Sequence, residues 1–153
     1  MIVTKEEFIP IRQKLKNEKQ ILIFTNGCFD IIHRGHIEYL NEAKKLGDFL
    51  LVAVNSDSSV KKIKGDNRPI NSQQDRAVVL DNLKPVDGVI IFDEETPYEL
   101  IKLIIPDVLV KGGDWEVKDI VGSDVVLSHG GRVISLSYWD NYSTTAIIKK
   151  ITG

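Results

Sequence analysis

Five short, almost unbroken apolar runs constrain this chain more than any other feature of it. They are Ile21-Leu22-Ile23-Phe24, Phe49-Leu50-Leu51-Val52-Ala53-Val54, Val89-Ile90-Ile91-Phe92, Val108-Leu109-Val110 and Val133-Ile134-Ser135-Leu136. A strand with one wet face alternates apolar and polar residues. These runs do not alternate, so they read as strands covered on both faces. Helix-like segments separate them. Residues 4–17 place Phe8, Ile11 and Leu15 at helical spacing, and Ile37, Leu40, Ala43 and Leu46 recur every three residues ahead of Gly47, a C-cap. Ser72 to Leu83 reads as a helix capped by Ser72, and Ser143 to Ile151 as a last helix. Thr96-Pro97-Tyr98-Glu99 carries a Thr cap, Pro at the first helical position and Glu three residues after the cap. Alternating strands and helices predict an α/β chain: a single Rossmann-like, doubly wound domain around a five-stranded parallel sheet. Ligands of such sheets lie beyond the carboxyl ends of the strands.

The 153 residues suit one domain, with residues 1–19 as an N-terminal helical extension. A formal net charge of −2 argues against a bulk electrostatic grip on nucleic acid or acidic membranes. Cys28 is the only cysteine, which rules out an internal disulfide and fits a reducing cytoplasm. The start, Val3-Thr4-Lys5-Glu6-Glu7, has no apolar signal core, and no apolar run approaches the ~20 residues of a membrane helix. No His/Cys cluster has zinc spacing, and His129, in Ser128-His129-Gly130-Gly131, reads as an exposed loop residue.

The chemistry concentrates in Thr25-Asn26-Gly27-Cys28-Phe29-Asp30-Ile31-Ile32-His33-Arg34-Gly35-His36. It reads as a strand end, a tight Gly turn and a helix start carrying two histidines. Imidazoles around a Gly, next to the free N–H groups of a helix start, can hold a polyphosphate and stabilise charge when one phosphate is attacked. Nucleotidyl transfer is therefore the expected reaction class. Cys28 reads as a packed thiol whose backbone lies at the phosphates, not as a nucleophile.

Asn26-Gly27-Cys28-Phe29-Asp30 with His33-Arg34-Gly35-His36 resembles the H-x-G-H nucleotidyltransferase superfamily, which has the cytidylyltransferase-like fold. Within it, the chain is most similar to the heptose 1-phosphate adenylyltransferases, in many bacteria the C-terminal half of a bifunctional kinase/adenylyltransferase. The likeness runs from about Ile21 to Ile151 and includes Val54-Asn55-Ser56-Asp57, Lys64-Gly65-Asp66-Asn67-Arg68-Pro69, Pro106-Asp107, Leu109-Val110-Lys111-Gly112-Gly113-Asp114 and Ser143-Thr144-Thr145. The kinase half has no counterpart in these residues.

The resemblance implies that ATP and D-glycero-β-D-manno-heptose 1-phosphate give ADP-heptose and pyrophosphate, with Mg²⁺ held mainly by the triphosphate. It implies catalytic roles for His33, His36 and Lys44, though Lys44 also reads as an ordinary solvated lysine. ATP would meet Asn26, Gly27, Cys28, Phe29, His33, Gly35, His36, Lys111, Gly112, Asp114, Ser143, Thr144 and Thr145. The acceptor would meet Asp30, Asn55, Asp57, Lys62, Lys64, Arg68 and Arg76. For Asp30, Asn55 and Asp57 a purely structural role stays open, and for Arg76 a surface ion pair. The likeness also suggests small-molecule partners and a homo-oligomer, a dimer or higher; the charge and the lack of a long apolar run argue against nucleic acid and membrane partners.

One departure stands out: relatives usually carry Gly where this chain has Asn141, the non-Gly residue that best tolerates left-handed backbone. Tyr138-Trp139 stands where glycerol-phosphate cytidylyltransferases carry an Arg upstream of the Ser-Thr-Thr segment. Three rivals remain: such a cytidylyltransferase, a transfer-RNA charging enzyme, for which the chain is too short, and a nucleotide sensor without turnover.

Overall fold

The computed structural model describes residues 1–137 and 139–153; Tyr138 lies outside the described residues. Five parallel strands, β1 (Leu22–Gly27), β2 (Phe49–Asn55), β3 (Gly88–Phe92), β4 (Val108–Gly112) and β5 (Arg132–Leu136), form one sheet in the order β3-β2-β1-β4-β5. The helices are α1 (Lys5–Asn17), α2 (Arg34–Lys44), α3 (Asp57–Lys64), α4 (Gln73–Asp81), α5 (Tyr98–Ile104), α6 (Ser123–Ser128) and α7 (Thr144–Thr152), with a 3-10 turn at Val117–Asp119.

The apolar runs explain the layering. Alternate residues of a strand point to opposite faces. Leu22 and Phe24 of β1, Leu51 and Ala53 of β2, and Leu109 of β4 pack with Phe8 and Leu15 of α1 and Ile101 and Ile104 of α5. Ile23, Leu50, Val52, Val54 and Val110 face the other way, onto Leu40 and Ala43 of α2 and Ala77 and Leu80 of α4. Both faces are covered, which is why the strands are apolar throughout. The N-terminal helical extension joins the first core: Phe8 is fully buried, and Ile2 bridges Val89 beside β3.

Carboxylates close the amino ends of the strands. Asp48 accepts from Ile21 N–H, Asp107 from Leu22 N–H, and Asp87 from Leu50 N–H. Arg12, a buried residue of α1, holds Asp107 through two guanidinium nitrogens at 2.9 and 3.0 Å and also bonds the Ile104 and Ile105 carbonyls.

Some boundaries differ from expectation. Pro97, not Thr96, occupies the cap position of α5; its carbonyl accepts the first helical bond, from Ile101 N–H, and no side chain caps the helix. Helices α3 and α6 and the 3-10 turn fall where the sequence carries no run of periodic apolar residues. Asn141 has φ 68°, the left-handed backbone expected of it. Among the described residues no helix is long and apolar enough to cross a membrane.

Candidate active site

β1 pairs with β2 on one side and β4 on the other, so the strand order reverses beside it. A crevice opens at such a reversal, beyond the carboxyl ends of the strands. Here it is a cavity of about 450 Å³, floored by Asn26 and Gly27 at the end of β1 and Cys28 just after it, and walled by Lys111 and Gly112 of β4. Tyr39 fixes the floor from α2: its hydroxyl bonds the buried Thr25 hydroxyl at 2.7 Å and donates to the Val110 carbonyl of β4.

The turn after β1 is strained. Phe29 holds φ 48°, the left-handed region that a bulky residue rarely adopts. Its ring packs so closely on Gly27 that a Cβ there would lie 2.9 Å from it, which explains the glycine. The same ring meets that of His36, with centroids 5.3 Å apart.

His33 caps α2, and His36 lies one turn in. His33 N–H donates to His36 Nδ1 at 3.3 Å, and the rings stack with centroids 3.8 Å apart. Burial, and then the neighbouring His33 ring, push His36 well below the ordinary imidazole range, to about 4. His36 is thus neutral near pH 7. With Nδ1 accepting, its hydrogen sits on Nε2, which makes the ring a donor to whatever fills the cavity. His33 is one layer back, between His36 and Tyr142, and burial lowers its pKa as well. His33 Nδ1 is buried and finds no hydrogen-bond partner among the described residues. Gly35 is required here: a Cβ would lie 2.8 Å from Tyr142 Cβ and 3.0 Å from the His33 ring.

The cavity wall also carries Lys64, Arg68, Asn55 and Thr144. Thr144 Oγ1 donates to the Ile31 carbonyl, so the start of α7 is tied to the β1 loop. Lys111 is half-buried, sits 5.8 Å from the centre of the Trp115 ring, and has no carboxylate partner among the described residues. Burial lowers its pKa, against a smaller opposing pull from Cys28. Burial also raises the Cys28 thiol above its ordinary range, which leaves it protonated and unsuited to attack.

Several expected site residues are engaged elsewhere. Lys44 lies at the opposite end of the sheet: its ammonium pairs with Asp87 and donates to the Asp48 carbonyl, at the amino ends of β2 and β3. An α-helix rises about 1.5 Å per residue, so the eight residues from His36 carry Lys44 about 12 Å away. Asp30 is 3% exposed and accepts from Arg68 Nε and from Ile70 and Asn71 N–H. Burial alone would raise its pKa, but those N–H groups and Arg68 outweigh it and leave the carboxyl below its usual range. It shapes the loop and aims Arg68, and it also borders the cavity. Arg76 is 1% exposed, and each of its three guanidinium nitrogens donates to a protein group, with Asp57 as its ion-pair partner. Lys62 is exposed on α3 and does not border the cavity, nor do Asp114, Ser143 and Thr145. Ser143 caps α7 through Ala146 N–H.

Sequence reasoning missed Trp115, Tyr142 and the cavity-lining Glu95 and Asp119. Of these only Trp115 had a usable signal, its place directly after the Gly-Gly-Asp turn.

Comparison with known proteins gives the family of the chain. A family model described as cytidylyltransferase-like matches residues 24–150. The bifunctional protein HldE of Wolinella succinogenes is 51% identical over 152 residues, which cover 99% of this chain and 31% of that protein. HldE of Haemophilus ducreyi is 52% identical over 150 residues, 98% of this chain and 32% of its own length. The chain therefore spans about a third of the curated relatives it matches. Among solved structures, the lipopolysaccharide core biosynthesis protein of Thermoplasma volcanium superposes with a TM-score of 0.65 at 31% identity, covering 79% of this chain and 99% of that one. Pantoate-beta-alanine ligase of Francisella tularensis, complexed with a βγ-ATP ligand and β-alanine, shares the fold alone, with a TM-score of 0.64 at 15% identity over 99% of this chain and 77% of the ligase. By its motif, its fold and these matches, the chain belongs to the cytidylyltransferase-like family.

Proposed function

We propose that the chain is an adenylyltransferase that transfers AMP from ATP to D-glycero-β-D-manno-heptose 1-phosphate, giving ADP-heptose and pyrophosphate. The observation that carries this reading is His36: a neutral ring whose donor nitrogen meets no acceptor among the described residues, in a cavity that also presents Lys64, Arg68 and Lys111. About half-identity to the HldE proteins supports the choice of acceptor.

An oxygen of the sugar phosphate attacks the α-phosphorus of ATP in line. The bond from that phosphorus to the bridging oxygen of the β-phosphate breaks, and pyrophosphate leaves. The attacking phosphate is already an anion, so no general base is needed. The protein's task is positioning and charge stabilisation. His36 Nε2–H donates to the reacting phosphate, and Lys111 and Arg68 offset the charge around it. Among the described residues no three His, Cys, Asp or Glu side chains gather into a metal-ligand set. A Mg²⁺ carried on the triphosphate with its own waters fits such a wall. ATP as co-substrate puts the reaction in the cytoplasm, and a homo-oligomer, readable by light scattering, completes the proposal.

The test is a pyrophosphate-release panel that crosses ATP and CTP with heptose 1-phosphate and glycerol 3-phosphate. Release with ATP and the heptose supports the reading. Release with CTP and glycerol 3-phosphate moves the chain to the cytidylyltransferase alternative. Nucleotide binding without any release makes it a sensor.

A further inference from the structure

Arg76 is the largest fully buried side chain among the described residues. It sits in α4, away from the cavity wall, and its guanidinium joins three segments that meet below the cavity. Nη1 donates to the Cys28 carbonyl at 2.7 Å and to the Asn55 carbonyl at 2.8 Å. Nη2 donates to the Asp57 carboxylate at 2.8 Å, and Nε to the Asn71 carbonyl at 3.1 Å. The loop after β1, the end of β2 and the loop before α4 are thereby locked together.

The bond to Cys28 has a geometric consequence. In a planar trans peptide the C=O and N–H point in opposite directions. Arg76 draws the Cys28 carbonyl inward, so the N–H of the same peptide, that of Phe29, faces away from Arg76. Among the described residues no acceptor meets that N–H, and Cys28 and Phe29 both line the cavity. Phe29 holds a left-handed φ of 48° beside this clamp, and such strain persists only where the surroundings over-determine it. We propose that Arg76 is a positioning residue: by clamping the Cys28 carbonyl it holds the Phe29 N–H toward the cavity as a fixed donor to a nucleotide phosphate. The inference rests on the reading that this cavity binds the triphosphate, not on the identity of the acceptor.

The test follows the Phe29 amide by ¹H–¹⁵N NMR during titration with inorganic pyrophosphate and with ATP. It compares the wild type with Arg76→Lys, which keeps the charge but cannot reach three segments at once. Asp57→Asn serves as a milder variant, because it loosens Arg76 from a half-exposed partner if Arg76→Lys does not fold. The expected result is a large downfield shift of Phe29 in the wild type that is lost or halved in a folded variant. Turnover should fall by about 10²-fold in kcat, with a smaller change in the KM for ATP. A Phe29 amide that ignores phosphate in the wild type overturns the proposal, as does a folded variant with an unchanged shift and kcat. The Phe29 shifts are read without any heptose; only the kcat comparison needs the acceptor. Failure of every acceptor in the pyrophosphate panel, with the Phe29 shift intact, would instead remove the proposed reaction and leave the clamp standing.

Discussion

Replacing His36 by Asn tests the active-site geometry most directly. Asn keeps a side-chain acceptor near the place of Nδ1, so the His33 N–H retains a partner. It removes the Nε2–H donor, which the ring carries beyond the reach of Asn. Losing one preorganised donor to a developing oxyanion costs about 2.7–4 kcal/mol, or about 10²–10³ in kcat. The structure places the loss at the upper end, because the His33 ring stacks on His36 at 3.8 Å and loses its support. The fold should tolerate the change. The ring's contact with Phe29 is worth about 0.5–1.5 kcal/mol, a fall of a few degrees in Tm. Pyrophosphate release at saturating ATP, with thermal melting as control, should show a kcat down about a thousandfold and a KM that moves far less. His36→Gln, whose amide nitrogen reaches nearer the Nε2 position, should recover part of the rate. A folded His36→Asn enzyme within about tenfold of the wild type would refute the donor role, since no single preorganised donor of this kind is worth so little.

The remaining predictions concern charge. His36 has a folded pKa of about 4, below its ordinary 6.5, so the unfolded chain binds the proton first as pH falls; stability is full above pH 6.5 and declines down to about pH 4, below which this contribution is flat. The shift sets a ceiling of about 3.4 kcal/mol, which partial exposure of the ring reduces to about 1–2 kcal/mol; chemical denaturation of wild type and His36→Asn at pH 7 and pH 4.5 should show a smaller pH effect in the variant. Lys44→Met should keep turnover within about twofold and cost about 1 kcal/mol in urea melts, because Asp87 retains its bond from Leu50 N–H. A large loss of kcat in that variant would return Lys44 to the active site.

The strands were legible because burial on both faces leaves no room for polar residues, so the apolar runs mark the sheet by themselves. The H-x-G-H segment was legible for a similar reason: a strand end, a Gly turn and a helix start leave their marks within a dozen residues. Short elements escaped. Helix α3 offers only Val60 and Ile63 as apolar residues and ends in Lys61, Lys62 and Lys64, so its composition reads as a basic loop. Thr96 reads as a cap because Thr, Pro and Glu stand at cap spacing, yet the helix is capped one residue later and Thr96 borders the cavity.

The cations were hardest to sort, and the reason is physical. A guanidinium or ammonium meets a carbonyl, a carboxylate or a phosphate with the same donors. Whether it serves a ligand depends on whether the fold supplies an anion first, and that anion is distant in sequence. Arg12 is matched by Asp107, Arg76 by Asp57 and Lys44 by Asp87, so none of the three has charge to spare for a substrate. Arg68 is only partly matched, since Asp30 takes Nε alone and the residue borders the cavity. Lys64 and Lys111 meet no carboxylate among the described residues, and both line the cavity. A half-buried ammonium without a counter-charge is unfavourable until an anion arrives, which makes Lys111 the strongest pointer after His36 to where the phosphates go. The sequence shows the cations; only the fold shows which of them are already neutralised.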